Sequence, residues 1–376
     1  MTFIHDIAPD FPLHGLLDPQ GQLSADTPDA QRDPALWQRA HAHIRFTRRF
    51  DRAAIHLQRT GRLGTYASCY GQEAISTAIG LALQASDVFA PYYRDQAAQL
   101  LRGVTPLDIL RFWGGDERGS AFARAPEDLP NCIPIATQLP HAAGIASAIK
   151  WRQQARAVLA TCGDGATSRG DFYEALNLAG VWHLPLVIVI NNNQWAISVP
   201  LHAQTACRTL AQKAVAAGIP GVRVDGNDVL AVHAVVTEAL VRARAGKGPT
   251  LIEAVTWRLC DHTTADDMSR YADAAARTAA EAREPLRRLE QLLITHHLWD
   301  AGKAAATDAE QEAEIVAATD AWLNDAPPAP TDMFDFLQAH LPDDLRRQRD
   351  DFLQRQRAAA TPTIRLPPAQ HSEDSP

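Results

Sequence analysis

Two short polar segments carry most of the chemistry this sequence can support. Gly163-Asp164-Gly165 follows the apolar run Ala157 to Cys162, and Asn191-Asn192-Asn193 follows the run Leu186 to Ile190. In an open parallel α/β sheet ligands sit beyond the carboxyl ends of the strands, so residues that directly follow strands are the first to weigh. If the two runs are neighbouring strands, about 4.8 Å apart, Asp164 and an asparagine present two hard oxygen ligands to one space. That donor set suits magnesium or calcium. The glycines flanking Asp164 let a ligand approach the backbone, and Ala166-Thr167-Ser168 leads into a helix starting near Gly170, whose free N–H groups favour a phosphate. A diphosphate bridged by a divalent cation fits both features. Other nucleotide motifs fit poorly: GDGATS lacks the third glycine of GxGxxG, and GxxxxGK[ST] does not occur. Taken singly, Gly-Asp-Gly reads as a turn and a run of Asn as a capped strand end.

The elements that must position these residues alternate. Ala157 to Cys162 and Leu186 to Ile190 read as buried strands with a helix between them from Asp171 to Trp182, which is one βαβ unit. Val222 to Val224, a helix from Asp228 to Arg244 and a strand from Leu251 to Trp257 continue the pattern. Upstream, helices are expected over Ala35 to Arg59 and Gln72 to Gln84, and a strand from Val88 runs into Tyr93-Arg94-Asp95. The expected fold is α/β, a mostly parallel sheet with helices on both faces. An extended N-terminal arm spans 1–34, the α/β domain with a helical C-terminal part spans 35–345, and a tail over 346–376 is expected to be partly disordered, frayed from Arg357 onward.

Composition excludes several classes. The 376 residues are 46% hydrophobic and 21% charged, so the chain can bury a sizeable core. Formal charge is −8, without the basic footprint that nucleic-acid or anionic-membrane binding needs. The longest apolar stretch, Leu184 to Ile190, is far short of the ~20 residues that span a bilayer. The N-terminal stretch MTFIHDIAPDFPLHG has no secretory pattern, and the five cysteines lack any CxxC. A cytoplasmic protein with reduced thiols is expected.

Asp164 and Asn193 lie 193 − 164 = 29 positions apart, and Gly-Asp-Gly with Asn-Asn at that spacing resembles the thiamine diphosphate motif. The surrounding blocks GRLGTYASCYGQEA, APYYRDQ, IATQLPHAAG, TLAQKAVAAGIPGVRVDG and DHTTADDMSRY resemble, in order, the alpha subunit of the thiamine-diphosphate-dependent component of 2-oxo acid dehydrogenase complexes in its heterotetrameric form. The resemblance runs from about Leu36 to Leu341.

It implies a thiamine-diphosphate-binding fold and a site. Asp164 and Asn193 would hold Mg²⁺ through side-chain oxygens and Trp195 through its carbonyl. Tyr93 and Arg94 would hold the diphosphate with backbone groups of Gly165 and Ala166, and Ile135 would wedge under the bent cofactor. His262, in the loop DHTTADD, would contact diphosphate and substrate and is the acid/base candidate. The chain departs from the family pattern at Arg169, Asn191 and Asp261, and Asp261 is placed to raise the pKa of His262.

The implied activity is oxidative decarboxylation of a 2-oxo acid, with the acyl group passed to a lipoyl group on an acyltransferase core. A beta subunit would complete an alpha2beta2 heterotetramer and supply the catalytic glutamate. GRLGTYASCYGQEA and TLAQKAVAAGIPGVRVDG look like pyruvate dehydrogenase subunits, whereas YYRDQ and HTTADD look equally like branched-chain subunits acting on 3-methyl-2-oxobutanoate. The reading leans to pyruvate. Readings of other classes are a catalytically silent partner subunit and a metal-dependent phosphohydrolase using the same Asp/Asn pair.

Overall fold

The computed structural model describes residues 11–360. The chain divides into a unit reaching through Asn324 and a second beginning at Asp325. In chain order the first contains β1 (Leu13–His14), α1 (Pro34–Arg59), α2 (Glu73–Ala82), β2 (Val88–Ala90), α3 (Gln96–Arg102), α4 (Pro106–Gly114), α5 (Gln138–Trp151), β3 (Val158–Gly163), α6 (Gly170–Val181) and β4 (Leu186–Asn192). It continues with β5 (Trp195–Ala196), β6 (Val199–Pro200), α7 (Leu201–Gln204), α8 (Lys213–Ala216), β7 (Gly221–Asp225), α9 (Val229–Arg244) and β8 (Thr250–Val255). Three helices close it: α10 (Ala274–Glu281), α11 (Pro285–Thr295) and α12 (Ala301–Leu323).

Six strands form one sheet in the order β1-β7-β8-β4-β3-β2, with every pairing parallel. Alternation along the strands divides the core in two. Phe89, Leu159, Val187, Val189 and Ile252 point to the face covered by α1, α2, α9 and α11. Val88, Val158, Ile188, Ile190 and Leu251 point to the face covered by α5 and α6. Both faces are dry because these strands carry apolar residues at odd and even positions alike, the pattern of a parallel sheet sandwiched by helices. Each such side chain stabilises the fold by ~1.5–3 kcal/mol relative to an exposed one.

The expected N-terminal arm differs from a free extension where it is described, because its backbone is pinned to its own sheet. β1 pairs with β7, and the Asp228 carboxylate at the head of α9 accepts the N–H groups of Leu16 and Leu17, each at 2.6 Å. Arg288 donates to the Leu17 carbonyl at 3.0 Å. Gly21 has φ +78° and a Cβ there would lie 2.6 Å from Gln291 Cβ, so only glycine lets the arm turn this close to α11. The strand expected from Val88 into Tyr93 stops at Ala90, since Pro91 cannot donate to a ladder.

The second unit holds α13 (Asp332–Asp335) and α14 (Asp343–Ala360), joined by an Arg349–Asp335 ion pair at 3.1 Å. α14 runs through residue 345 and through Arg357, where fraying was expected. Its sequence DDLRRQRDDFLQRQRAAA is built from strong helix formers with Asp343 and Asp344 in the first turn. The rest of the expected tail, 361–376, and the first ten residues of the arm lie outside the described residues.

Candidate active site

The two central strands deliver the site. β3 and β4 pair in register up to Gly163 opposite Asn191, so the Gly-Asp-Gly and Asn-Asn-Asn segments leave the sheet side by side at its carboxyl edge. Asp164 begins a 3₁₀ turn, Asp164–Ser168, that leads into α6. Its side chain is 1% exposed and its Oδ2 accepts from Gln204 Nε2 at 2.8 Å. Burial pushes this carboxyl up to about 6, against the lowering effect of the Gln204 hydrogen bond. Asn193 donates through Nδ2 to Gln72 Oε1 at 2.9 Å, and its Oδ1 accepts from the Trp195 N–H at 3.2 Å.

Tyr93 and Arg94 follow β2, the neighbour of β3. Arg94 is 2% exposed; Nη1 donates to the Ser68 carbonyl at 2.6 Å and Nη2 to the His262 carbonyl at 2.5 Å. The Tyr93 ring lies 5.2 Å from the Arg94 guanidinium and edge-on to the His262 ring at 6.2 Å. A second guanidinium, Arg258, donates to the Ile197 carbonyl at 2.7 Å and to the Tyr271 hydroxyl at 2.5 Å. Among the described residues neither Arg94 nor Arg258 forms an ion pair. Two buried cations without carboxylate partners make a site that attracts an anion.

Asp261 does not raise the pKa of His262. Its Oδ1 instead accepts the Met268 N–H at 2.8 Å, tying the far end of the loop. Burial, then Arg94 and Arg258, push the His262 ring down to about 3, with Asp266 opposing them. Asp266 accepts the His262 N–H at 2.7 Å and the Tyr271 hydroxyl proton. Arg169 reaches Asp171 at 3.6 Å while its side chain remains largely exposed at the cavity. Asn191 is not among the residues that line the cavity, and neither polar atom of its buried side chain has a partner.

A cavity of about 330 Å³ lies between these segments. Tyr93, Arg94, Ile135, Asp164, Gly165, Ala166, Asn193, Trp195 and His262 all line it. Ile135, 44% exposed, offers an apolar knob to the cavity. Backbone strain concentrates here as well: Ala136 (φ +70°), Gln194 (φ +72°) and Ile197 (φ +55°) take left-handed conformations without being glycine. A β-branched residue such as Ile197 adopts this conformation only when its surroundings impose it, and such strain clusters at functional sites. Gly165 is required for close packing, since a Cβ there would lie 2.8 Å from Ala196 Cβ.

The donors fit a shared cation better than a self-sufficient one. No cluster of three or more His, Cys, Asp or Glu side chains among the described residues could hold a metal ion. Asp164 offers one carboxylate, Asn193 an amide oxygen and Trp195 a backbone carbonyl at the cavity, so a hard cation placed there would need further oxygens from a ligand.

Residues 42–331 match the family model described as the dehydrogenase E1 component. The chain belongs to that family. Within the dehydrogenase E1 component family it is 44% identical over 253 residues to the 3-methyl-2-oxobutanoate dehydrogenase subunit alpha of Mycobacterium tuberculosis, covering 67% of this chain and 69% of the relative. It is 38% identical over 312 residues to the pyruvate dehydrogenase E1 component subunit alpha of Staphylococcus aureus, covering 83% and 84%. The subunit of the same description from Mycoplasma pneumoniae is 33% identical over 337 residues, covering 90% and 94%. The matched region contains every residue that lines the cavity, together with four residues that touch this lining and that sequence reasoning did not single out: Gln72, Gln204, Arg258 and Tyr271. Gln72 and Tyr271 stood inside recognised blocks; Gln204 carried no sequence signal.

Proposed function

We propose that this chain is the alpha subunit of a 2-oxo acid dehydrogenase and that its cavity holds the diphosphate end of thiamine diphosphate with Mg²⁺. One observation carries the reading: Asp164, Asn193, Arg94 and His262, from four separate segments, converge on one cavity at the carboxyl edge of a parallel sheet. Asp164 and Asn193 would bind the cation through side-chain oxygens and Trp195 through its carbonyl. Arg94 and Tyr93, with the backbone of Gly165 and Ala166, would take the diphosphate charge, and Ile135 would support the apolar middle of the cofactor. When bound, thiamine diphosphate supplies a thiazolium ring that accepts the electron pair left behind as the 2-oxo acid loses CO₂.

This chain's own part is binding and orientation. Arg94, which lines the cavity, would neutralise anionic oxygens there, and Arg258, beside the His262 ring, would add positive charge in a partly buried site where charges act more strongly than in water. His262, kept neutral by burial and by Arg94 and Arg258, is placed to donate a hydrogen bond to diphosphate or substrate. The pyrimidine half of the site and the glutamate that starts proton transfer are assigned to a beta subunit in an alpha2beta2 assembly. The acyl group then passes to the lipoyl group of an acyltransferase core. The proposed compartment is the cytoplasm; no helix among the described residues is long and apolar enough to cross a membrane.

The proposed substrate is pyruvate, supported by the longer alignments with pyruvate dehydrogenase subunits. A second reading, 3-methyl-2-oxobutanoate, is favoured by the 44% identity of the branched-chain relative. Competition between the two acids in the reconstituted alpha–beta assembly separates them. An apolar pocket rejects a larger substrate by overpacking, but a missing methylene forfeits only ~1–3 kcal/mol. A pyruvate enzyme should discriminate sharply against the branched acid; a higher kcat/KM for 3-methyl-2-oxobutanoate overturns the pyruvate assignment. Turnover of phosphate esters without thiamine diphosphate would overturn the family of reactions proposed here.

A further inference from the structure

A buried carboxylate outside the cavity grips the segment on which two of its walls are hung. Asp51, in the middle of α1, is 2% exposed, and its partners all lie within the short segment 66–69. Its Oδ1 accepts from the Tyr66 hydroxyl at 2.5 Å; its Oδ2 accepts from the Ser68 hydroxyl at 2.5 Å and from the Cys69 N–H at 2.8 Å. The main chain of the same segment faces the site. The Ser68 carbonyl accepts from Arg94 Nη1 at 2.6 Å, and the Ala67 carbonyl accepts from Gln96 Nε2 at 2.9 Å. The Tyr66 N–H donates to Thr264 Oγ1 at 3.0 Å, and the Thr264 N–H donates back to the Tyr66 carbonyl at 2.9 Å. Arg94 and the His262 loop, remote from each other in sequence, are therefore both fastened to one short strip of backbone, and Asp51 fixes that strip from behind.

We propose that Asp51 is a positioning residue for the cofactor site: by holding Tyr66, Ser68 and Cys69 it sets the Ser68 carbonyl that aims Arg94 and the Tyr66 peptide groups that seat the His262 loop. The inference rests on the function proposed above for Arg94 and His262. The arrangement resembles the outer hydrogen bonds that orient metal and phosphate ligands, whose loss weakens binding by about 10- to 100-fold while the ligands themselves remain. Asp51 suits the task because a carboxylate accepts at both oxygens, so one side chain holds two hydroxyls and an amide at once. An asparagine of the same shape can accept at one atom only.

The test uses the reconstituted alpha–beta assembly with Asp51→Asn, and with Ser68→Ala beside Ser68→Thr. Calorimetry with thiamine diphosphate and magnesium should show the dissociation constant rising about tenfold in Asp51→Asn and Ser68→Ala, with Ser68→Thr restoring it. At saturating cofactor, kcat should stay within about threefold of the unaltered assembly, since the reacting groups are intact. Hydrogen exchange in the 262–266 segment should quicken in both weakened variants even without cofactor, because the Thr264 N–H loses a fixed acceptor. Unchanged cofactor affinity and unchanged exchange in folded Asp51→Asn overturn the inference. If Asp51→Asn does not fold, the Ser68 pair decides on the same two readouts. An unaltered assembly that binds no thiamine diphosphate would instead overturn the proposed function, and the exchange measurement would still judge the role of Asp51.

Discussion

Arg94 Nη2 meets Nδ1 of His262 at 3.0 Å, and Arg258 Nη1 approaches the same nitrogen at 3.3 Å. A guanidinium can only donate, so Nδ1 accepts and the single ring proton belongs on Nε2. Protonating Nδ1 would oppose both arginines, which, together with burial, holds the ring far below its usual range.

A side chain that keeps a donor near the Nε2 position should therefore replace His262 best. His262→Gln is expected to retain more activity than His262→Asn, whose amide reaches only the Nδ1 position, and His262→Ala should lose about 10²-fold or more in kcat/KM. Steady-state kinetics of the three variants in the alpha–beta assembly check the order. Equal activity of Gln and Asn variants would contradict the Nε2–H assignment.

Burial disfavours the charged form of Asp164 and raises its pKa to about 6. Asp164→Asn should leave the melting temperature of the cofactor-free chain unchanged or higher, while weakening magnesium-dependent cofactor binding by about 100-fold. Thermal unfolding and calorimetry on the same sample test both halves. A large loss of stability without loss of binding would make Asp164 a structural residue.

With one carboxylate in the donor set, the chain should bind Mg²⁺ alone more weakly than about 1 mM, and tightly only when a diphosphate supplies further oxygens. Magnesium titrations with and without thiamine diphosphate, followed calorimetrically, measure the difference. A micromolar isotherm for magnesium alone would show a cation site complete within this subunit.

His41, on α1, is 1% exposed, packs edge-on to Trp299 at 4.3 Å, and is pushed down to about 4 by burial and then by Arg45. In the unfolded chain a histidine titrates near 6.5, so between these values the unfolded state binds more protons and stability falls as pH drops. Removing this group, as in His41→Phe, should reduce the stability lost between pH 7 and pH 5 by about 2 kcal/mol. Denaturant unfolding at the two pH values gives the number; an equal loss in both proteins would show that His41 is not the group responsible.

The centre of the fold was legible and its margins were not. β3 and β4 are unbroken apolar runs ended by polar segments, so strand, edge and ligand position appear together in the sequence. The nine site residues named from sequence all line the cavity because each sits just after a strand or in a motif whose spacing reflects that geometry. β1 was invisible: Leu13 and His14 lie in a Pro-rich polar stretch, and their strand exists only because β7 and the Asp228 carboxylate supply partners more than 200 positions away. Asp51 was equally hidden, since one acid on a helix full of arginines looks like a surface charge until Tyr66 and Ser68 fold against it. The pKa of His262 is illegible in the sequence for a related reason. Its chain neighbour Asp261 points elsewhere, and the groups that act on it come from the segments that follow β2 and β8.

The two-residue strand at Leu13–His14 also has a meaning for handling the protein. Without it, β7 would present an unpaired row of peptide groups at the rim of the sheet, a template onto which another chain could dock. The short β1 covers the part of that row at Arg223 and Val224 and, with Gly15 and the pinned Leu16 and Leu17 after it, ends too soon to offer a long template of its own. Trimming the chain to begin after Leu17 should thus leave the cofactor cavity intact in sequence yet yield a protein prone to self-association.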